Sequence, residues 1–222
     1  MVNVSSPQPR PDGVETVGRL VAAEGSGLHT YVQSDVLLKG GYATRNLADA
    51  IHYLAALHGR YPGVVDMAAT RTAVPAAGQW LITAVDGFAV ERKYLTKLAV
   101  AAGPQPSTPG QAECEAAVIG QRHALEMLAQ SDREGCAIGA ALALVRDWYA
   151  IRAVLDVAAN RLSVTIPAFT LPDADSCHEI ALAVRTSPGV ERAMAFGAQQ
   201  LVSQHRGLWD LLEARQLSRG EY

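Results

Sequence analysis

The sequence predicts an all-α protein, an antiparallel bundle of long helices with additional short ones. Three observations carry that expectation. Apolar residues recur at 3.6-residue spacing almost without a break from Thr44 to the C-terminus. Three Ser/Thr-x-x-Glu/Gln stretches (Thr108 to Gln111, Ser131 to Glu134, Ser176 to Glu179) have the form of a capping box at a helix start. No segment alternates apolar and polar residues as a half-buried strand does.

In chain order, Val14 to Ala23 has the periodicity of a short helix, and Glu24 to Gly41, with its repeated glycines, reads as a connection. Leu47, Ile51, Leu54 and His58 then line one face of a helix that Gly59 and Pro62 end. A shorter helix follows over Pro62 to Thr70. Pro75 opens the next, which runs to Ala101 with the stripe Leu81, Ala84, Phe88, Glu91, Leu95 and Leu98. The spans Thr108 to Gln130 and Ser131 to Asn160, so closely joined, are expected to fold back on each other as an antiparallel pair. Pro167 and the β-branched residues around it make Arg161 to Leu171 a linker, and a helix follows from Ser176 to about Arg185. Ser187-Pro188 opens the last helix, whose stripe is Val190, Met194, Gly197, Leu201, His205, Leu208 and Leu212. Gly197 lies inside it, where glycine costs about 1 kcal/mol relative to alanine.

Composition sets the remaining bounds. The 222 residues are 49% hydrophobic and 18% charged, which suits one folded domain over residues 14–222 rather than a disordered chain. The proline- and serine-rich stretch Met1 to Gly13 is expected to be a disordered tail, with no secretory signal. A net charge of −3 gives no overall electrostatic case for nucleic acid. The longest apolar run, Cys136 to Val145, meets Arg146 and Asp147 well before the ~20 residues a membrane-spanning helix needs. Three widely spaced cysteines (Cys114, Cys136, Cys177) suit a reducing compartment, so a cytoplasmic location is expected.

No phosphate-binding loop, dinucleotide turn or nucleophile elbow is present, and His178-Glu179 lacks the second histidine of a zinc-protease helix. Chemistry therefore rests on polar residues lying on apolar stripes. Glu91 sits between Phe88 and Leu95, His123 shares a face with Ile119 and Met127, and Asp147 lies with Ala140, Leu144 and Ile151. Asp49 and His52, three apart, share one side of their helix. A buried carboxylate needs a partner, a hydrogen bond or a metal. Each also has a plainer reading: Glu91 paired with Arg152 or another arginine, Asp147 holding a neighbouring helix, His123 a satisfied core histidine, Asp49 and His52 facing water, His58 a favourable charge at a helix end, His205 a core or interface residue.

With these residues in view the chain resembles the ferritin-like superfamily of helical bundles. More loosely it resembles an uncharacterised group of bacterial proteins through Pro106 to Gln111 and Gln121 to Glu126. The ferritin-like resemblance implies iron or manganese held by carboxylates and histidines from several helices, with Glu91, His123, Asp147, Asp49 and His52 as ligand candidates. The chain departs from that pattern: Gly120 stands where a glutamate would precede His123, aspartate replaces glutamate at Asp49, and Ala150 stands where a histidine would follow Asp147. The implied site is therefore a degenerate one. The alternative is a non-catalytic helical protein acting by self-association or partner docking, a homodimer formed through Leu201, Leu208, Trp209 and Leu212 of the last helix.

Overall fold

A computed structural model describes residues 13–220. The expected tail, apart from Gly13, lies outside the described residues. The elements are α1 (Gly13–Glu24), a 3₁₀ turn (Ser26–Leu28), α2 (Asp35–Leu38), α3 (Ala43–His58), α4 (Val64–Arg71), a second 3₁₀ turn (Pro75–Ala77), α5 (Gly78–Ala102), α6 (Gln111–Ala129), α7 (Cys136–Leu162), α8 (Ala174–Val184) and α9 (Pro188–Ser218). The chain is all-helical, with no strand among the described residues.

Helix α7 is the axis of the fold. Every residue from Cys136 to Val145 is buried, as expected of a segment apolar all round. Helices α9, α4, α1, α3, α5 and α6 pack around it. Paired residues give the directions. Gly135 meets Val190 and Asp147 meets His205, so α7 and α9 run parallel. Glu91 meets Trp148 and Tyr94 meets Asp156, so α5 and α7 are parallel too. Asp49 meets Arg215 while His58 meets His205, so α3 opposes α9. The expected antiparallel pair is thus subordinate: α6 does touch α7, but the broadest face of α7 belongs to α9, which returns in the same direction after the crossover through α8.

Three helix starts differ from the sequence expectation. The Thr108 hydroxyl accepts from Arg215 and Arg219, and α6 begins after Gly110, whose φ is +74°. The Ser131 hydroxyl accepts from the Arg133 amide in a turn before α7 begins. Ser176 lies within α8, where its amide donates to the true cap, Asp173, at 2.7 Å. In each case the hydroxyl has another use. Ser187 does cap α9, accepting from the Val190 amide.

Helix α9 runs unbroken through Gly197. The glycine is required by close approach to α7: a Cβ there would lie 2.1 Å from the Cys136 carbonyl oxygen, and one on Gly139 would lie 2.1 Å from the Met194 carbonyl oxygen. The residues proposed for a dimer face are not available to one. Leu201, Leu208, Trp209 and Leu212 are at most 1% exposed, because that face of α9 is spent within the chain.

Candidate functional site

Asp147 projects from the middle of α7 into the dry interior and is 1% exposed. Its Oδ1 accepts from the Ser26 amide at 2.7 Å, and its Oδ2 from the Ser26 hydroxyl and from His205 Nδ1, both at 2.6 Å. Trp209 Nε1 donates to the Ser26 hydroxyl at 2.8 Å, which fixes that serine. From the far side of the His205 ring, Nε2 lies 2.9 Å from Nε2 of His58, the last residue of α3. The His58 ring is held edge-on between His205, Trp148 and Phe88.

The proton positions follow from the acceptors. Burial pulls the Asp147 carboxyl up, but the hydrogen bonds from His205 and Ser26 outweigh it and hold the group below the ordinary aspartate value. An ionised Asp147 only accepts, so His205 Nδ1 carries a proton and, in the neutral ring, its Nε2 accepts. With His205 in that neutral form, His58 Nε2 is the donor and His58 Nδ1 keeps a free lone pair; a protonated His205 reverses the bond and places the His58 proton on Nδ1. Burial first, then His205 and the Arg92 charge, hold His58 well below the usual histidine range, so this ring is neutral near pH 7. Its Nδ1 has no hydrogen-bond partner among the described residues.

His58 also forms part of the wall of a cleft of about 250 Å³ at the junction of α3, α4 and α6. Leu57, Met67, Phe88 and Leu125 give the cleft an apolar body, and Arg122 and Glu126 stand on its α6 side. Beside it, Arg92 forks onto Asp66 at 2.8 and 3.1 Å, and the Gly63 amide donates to the same carboxylate, tying the start of α4 to α5.

The other sequence-predicted residues are distributed over separate networks. Glu91, fully buried on α5, accepts from Trp148 Nε1 at 2.9 Å and from Arg152 at 2.5 Å. Burial pushes its carboxyl above the ordinary glutamate value, against the pull of those two donors. Arg152 continues to Asp156 at 2.7 Å and to the Pro167 carbonyl at 2.6 Å. Asp49 is buried and takes Arg215 and Arg219 on its two oxygens, so it does not face water. His52 Nε2 is 2.9 Å from the Gly103 carbonyl. His123 lies on the outer side of α6 with its side chain 73% exposed, 3.8 Å from the Glu126 carboxylate. Its supposed apolar companions Ile119 and Met127 are themselves 55% and 60% exposed, because α6 buries Val118, Leu125 and Leu128 instead.

These donors do not suit a metal ion. Glu91, Asp147 and Asp49 already have both oxygens engaged by cationic or N–H and O–H groups, and the five candidates do not converge. Among the described residues the one group of three metal-type ligands within 4.8 Å is His29, Asp210 and Glu213. There His29 Nδ1 accepts from the Tyr31 amide, leaving the ring proton on Nε2, 2.9 Å from Asp210. That nitrogen is a donor rather than a ligand.

A model described as a family of unknown function, DUF6975, matches residues 21–220. The chain belongs to that family. No curated protein and no solved structure matches it. The matched span takes in every element of this DUF6975 chain from the end of α1 onward, including Ser26, His58, Asp147 and His205. The sequence marks Asp147 as a candidate, while His205, its partner, and His58, the partner of His205, have only plainer roles there. Their signal was present: His58 and His205 each occupy a position on an otherwise apolar stripe, and 147 positions separate them. Helical spacing cannot pair residues so far apart. No helix among the described residues is long and apolar enough to cross a membrane.

Proposed function

We propose that this protein takes a small organic molecule into the His58 cleft and accepts a proton from it through the chain His58–His205–Asp147. The supporting observation is His58 in the cleft wall, its Nδ1 without a hydrogen-bond partner among the described residues and its Nε2 bonded to a histidine that is itself bonded to an aspartate. A proton taken from the ligand by Nδ1 is matched by transfer of the Nε2 proton to His205 Nε2. The positive charge then rests on His205, against Asp147, rather than on His58 in apolar surroundings. This is general-base catalysis with an orienting carboxylate. The apolar walls favour a ligand with an aromatic or aliphatic body and one acidic O–H or N–H.

The test uses p-nitrophenol, whose colour reports its own ionisation. Saturable binding with a shift toward the phenolate is expected in the native protein. His58→Gln should bind without the shift, and Asp147→Asn should reduce it. Absence of saturable binding, or an equal shift in His58→Gln, removes the reading.

Two other readings are weaker. The ferritin-like architecture with iron or manganese draws support from carboxylates turned inward on α3, α5 and α7, but their oxygens are engaged by arginine, histidine, tryptophan and serine. Self-association draws support from Met127 and Phe196, 60% and 44% exposed on either side of a groove between α6 and α9. It would use that groove rather than the α9 stripe of Leu201, Leu208, Trp209 and Leu212, which is buried.

A further inference from the structure

The outer face of α6 is the reverse of what a solvated helix shows. On the side turned away from Val118, Leu125 and Leu128 it carries Ala112, Ala116, Ile119, Gly120, His123 and Met127, all exposed, over about 22 Å of helix at 1.5 Å per residue. His123 is the one polar side chain among them. Among the described residues nothing covers the middle of this face: a Cβ added to Gly120 meets no atom within 4 Å. At the Met127 end the face continues across the groove to exposed Phe196 of α9. An apolar surface this continuous marks a contact face rather than a solvated one.

The charges at its two ends differ in sign. Glu113 and Glu115 stand exposed at the start of α6. At the other end Arg133 lies over the Phe196 ring, 5.5 Å from its centre, and exposed Arg192 is one turn before Phe196 on α9. Carboxylates near that end are already engaged: Glu126 faces Arg122 and His123, Asp132 is paired with Arg71, and Glu191 stands beside Arg185.

We propose that a second copy of the chain occupies this face, its α6 laid antiparallel across the first about a twofold axis between Ile119 and Gly120. That axis sets Met127 against the partner's Ala112 and brings the acidic start of each α6 to the basic Phe196 end of the other. Such an interface uses one patch on both copies and closes at the dimer. A parallel pair would set Glu113 and Glu115 against their own counterparts, like charge on like. The proposal rests on the self-association reading and gives it a surface; it makes no use of the His58 chain. One helix face with its flank buries less than a standard interface, so association in the micromolar range is expected.

Sedimentation equilibrium, from micromolar to near-millimolar protein, should show a monomer–dimer equilibrium that weakens several-fold as salt is raised. Ile119→Glu and Met127→Glu should each weaken it at least tenfold while leaving the Tm of dilute protein unchanged, since both side chains lie outside the core. Under mild oxidation, and above the background of the native thiols, Gly120→Cys should link to its own counterpart. Ala112→Cys should not, because an antiparallel pair holds those two positions about 22 Å apart. A monomer throughout overturns both the proposal and the self-association reading. A dimer that survives Ile119→Glu and Met127→Glu overturns this face alone, and self-linking by Ala112→Cys overturns the antiparallel arrangement.

Discussion

Replacing Glu91 with alanine is expected to destabilise the fold by about 3 kcal/mol or more, among the largest effects of any single truncation in the chain. Glu91 has no solvent contact and holds two groups that cannot find water: the Arg152 guanidinium and the Trp148 indole N–H. Its loss leaves Arg152 with only the partly exposed Asp156 as a counter-charge. It also releases Trp148, whose indole packs on the His58 ring 5.4 Å away. Asp156→Ala should cost much less, because that carboxylate reaches solvent and has water as a substitute. A Glu91→Leu, Arg152→Met double variant should recover a good part of the loss, since removing both members of a buried pair is far less harmful than removing one. Chemical denaturation of the four proteins measures this. A loss below 1 kcal/mol for Glu91→Ala would mean that the pair is open to water.

Gly197→Ala is the second large effect. A single methyl group there meets the Cys136 carbonyl oxygen at 2.1 Å, and the obstacle is helix backbone rather than a flexible side chain. Overpacking ordinarily costs about 1–3 kcal/mol, and here two rigid helices must separate, so the upper end or beyond is expected. The same holds for Gly139→Ala, on the facing side of the crossing. Gly120, whose added Cβ meets nothing within 4 Å, lies in the exposed part of α6, and alanine there should stabilise by about 0.5–1 kcal/mol through helix propensity. Thermal unfolding of the three variants gives the contrast. Similar melting temperatures for Gly197→Ala and Gly120→Ala would show that α7 and α9 do not cross closely.

Much of the helical content is readable in the sequence because each helix carries its own apolar period. Leu47, Ile51 and Leu54 mark the buried side of α3, and Leu81, Ala84, Phe88 and Glu91 that of α5, without reference to any other part of the chain. Inward-facing polar residues were legible on the same ground: Glu91 and Asp147 are where an apolar stripe puts them. What the period does not carry is partnership. That Glu91 is satisfied by Arg152 was one of several arginine pairings open to it, and that α7 approaches α9 so closely depends on Gly139 lying against Met194 and Gly197 against Cys136. His123 shows the failure in the other direction. The outer face of α6 is apolar enough, with Ile119 and Met127, to resemble a buried one. The caps failed for a related reason, since the Thr108 hydroxyl serves two arginines contributed by the far end of α9.

The proton-accepting chain is open to direct observation by nitrogen NMR of the histidine side chains. At neutral pH, His58 should be a neutral ring with its proton on Nε2 and a bare Nδ1, and His205 should show a protected Nδ1–H bonded to Asp147. On acidification His58 should stay neutral well below the ordinary value of 6.5. The unfolded chain takes up that proton near 6.5, so the same burial makes stability fall as the pH drops below it. A His58 ring protonated on Nδ1 at neutral pH, or titrating at the ordinary value, would mean that no free lone pair faces the cleft and that the chain from Asp147 does not end there.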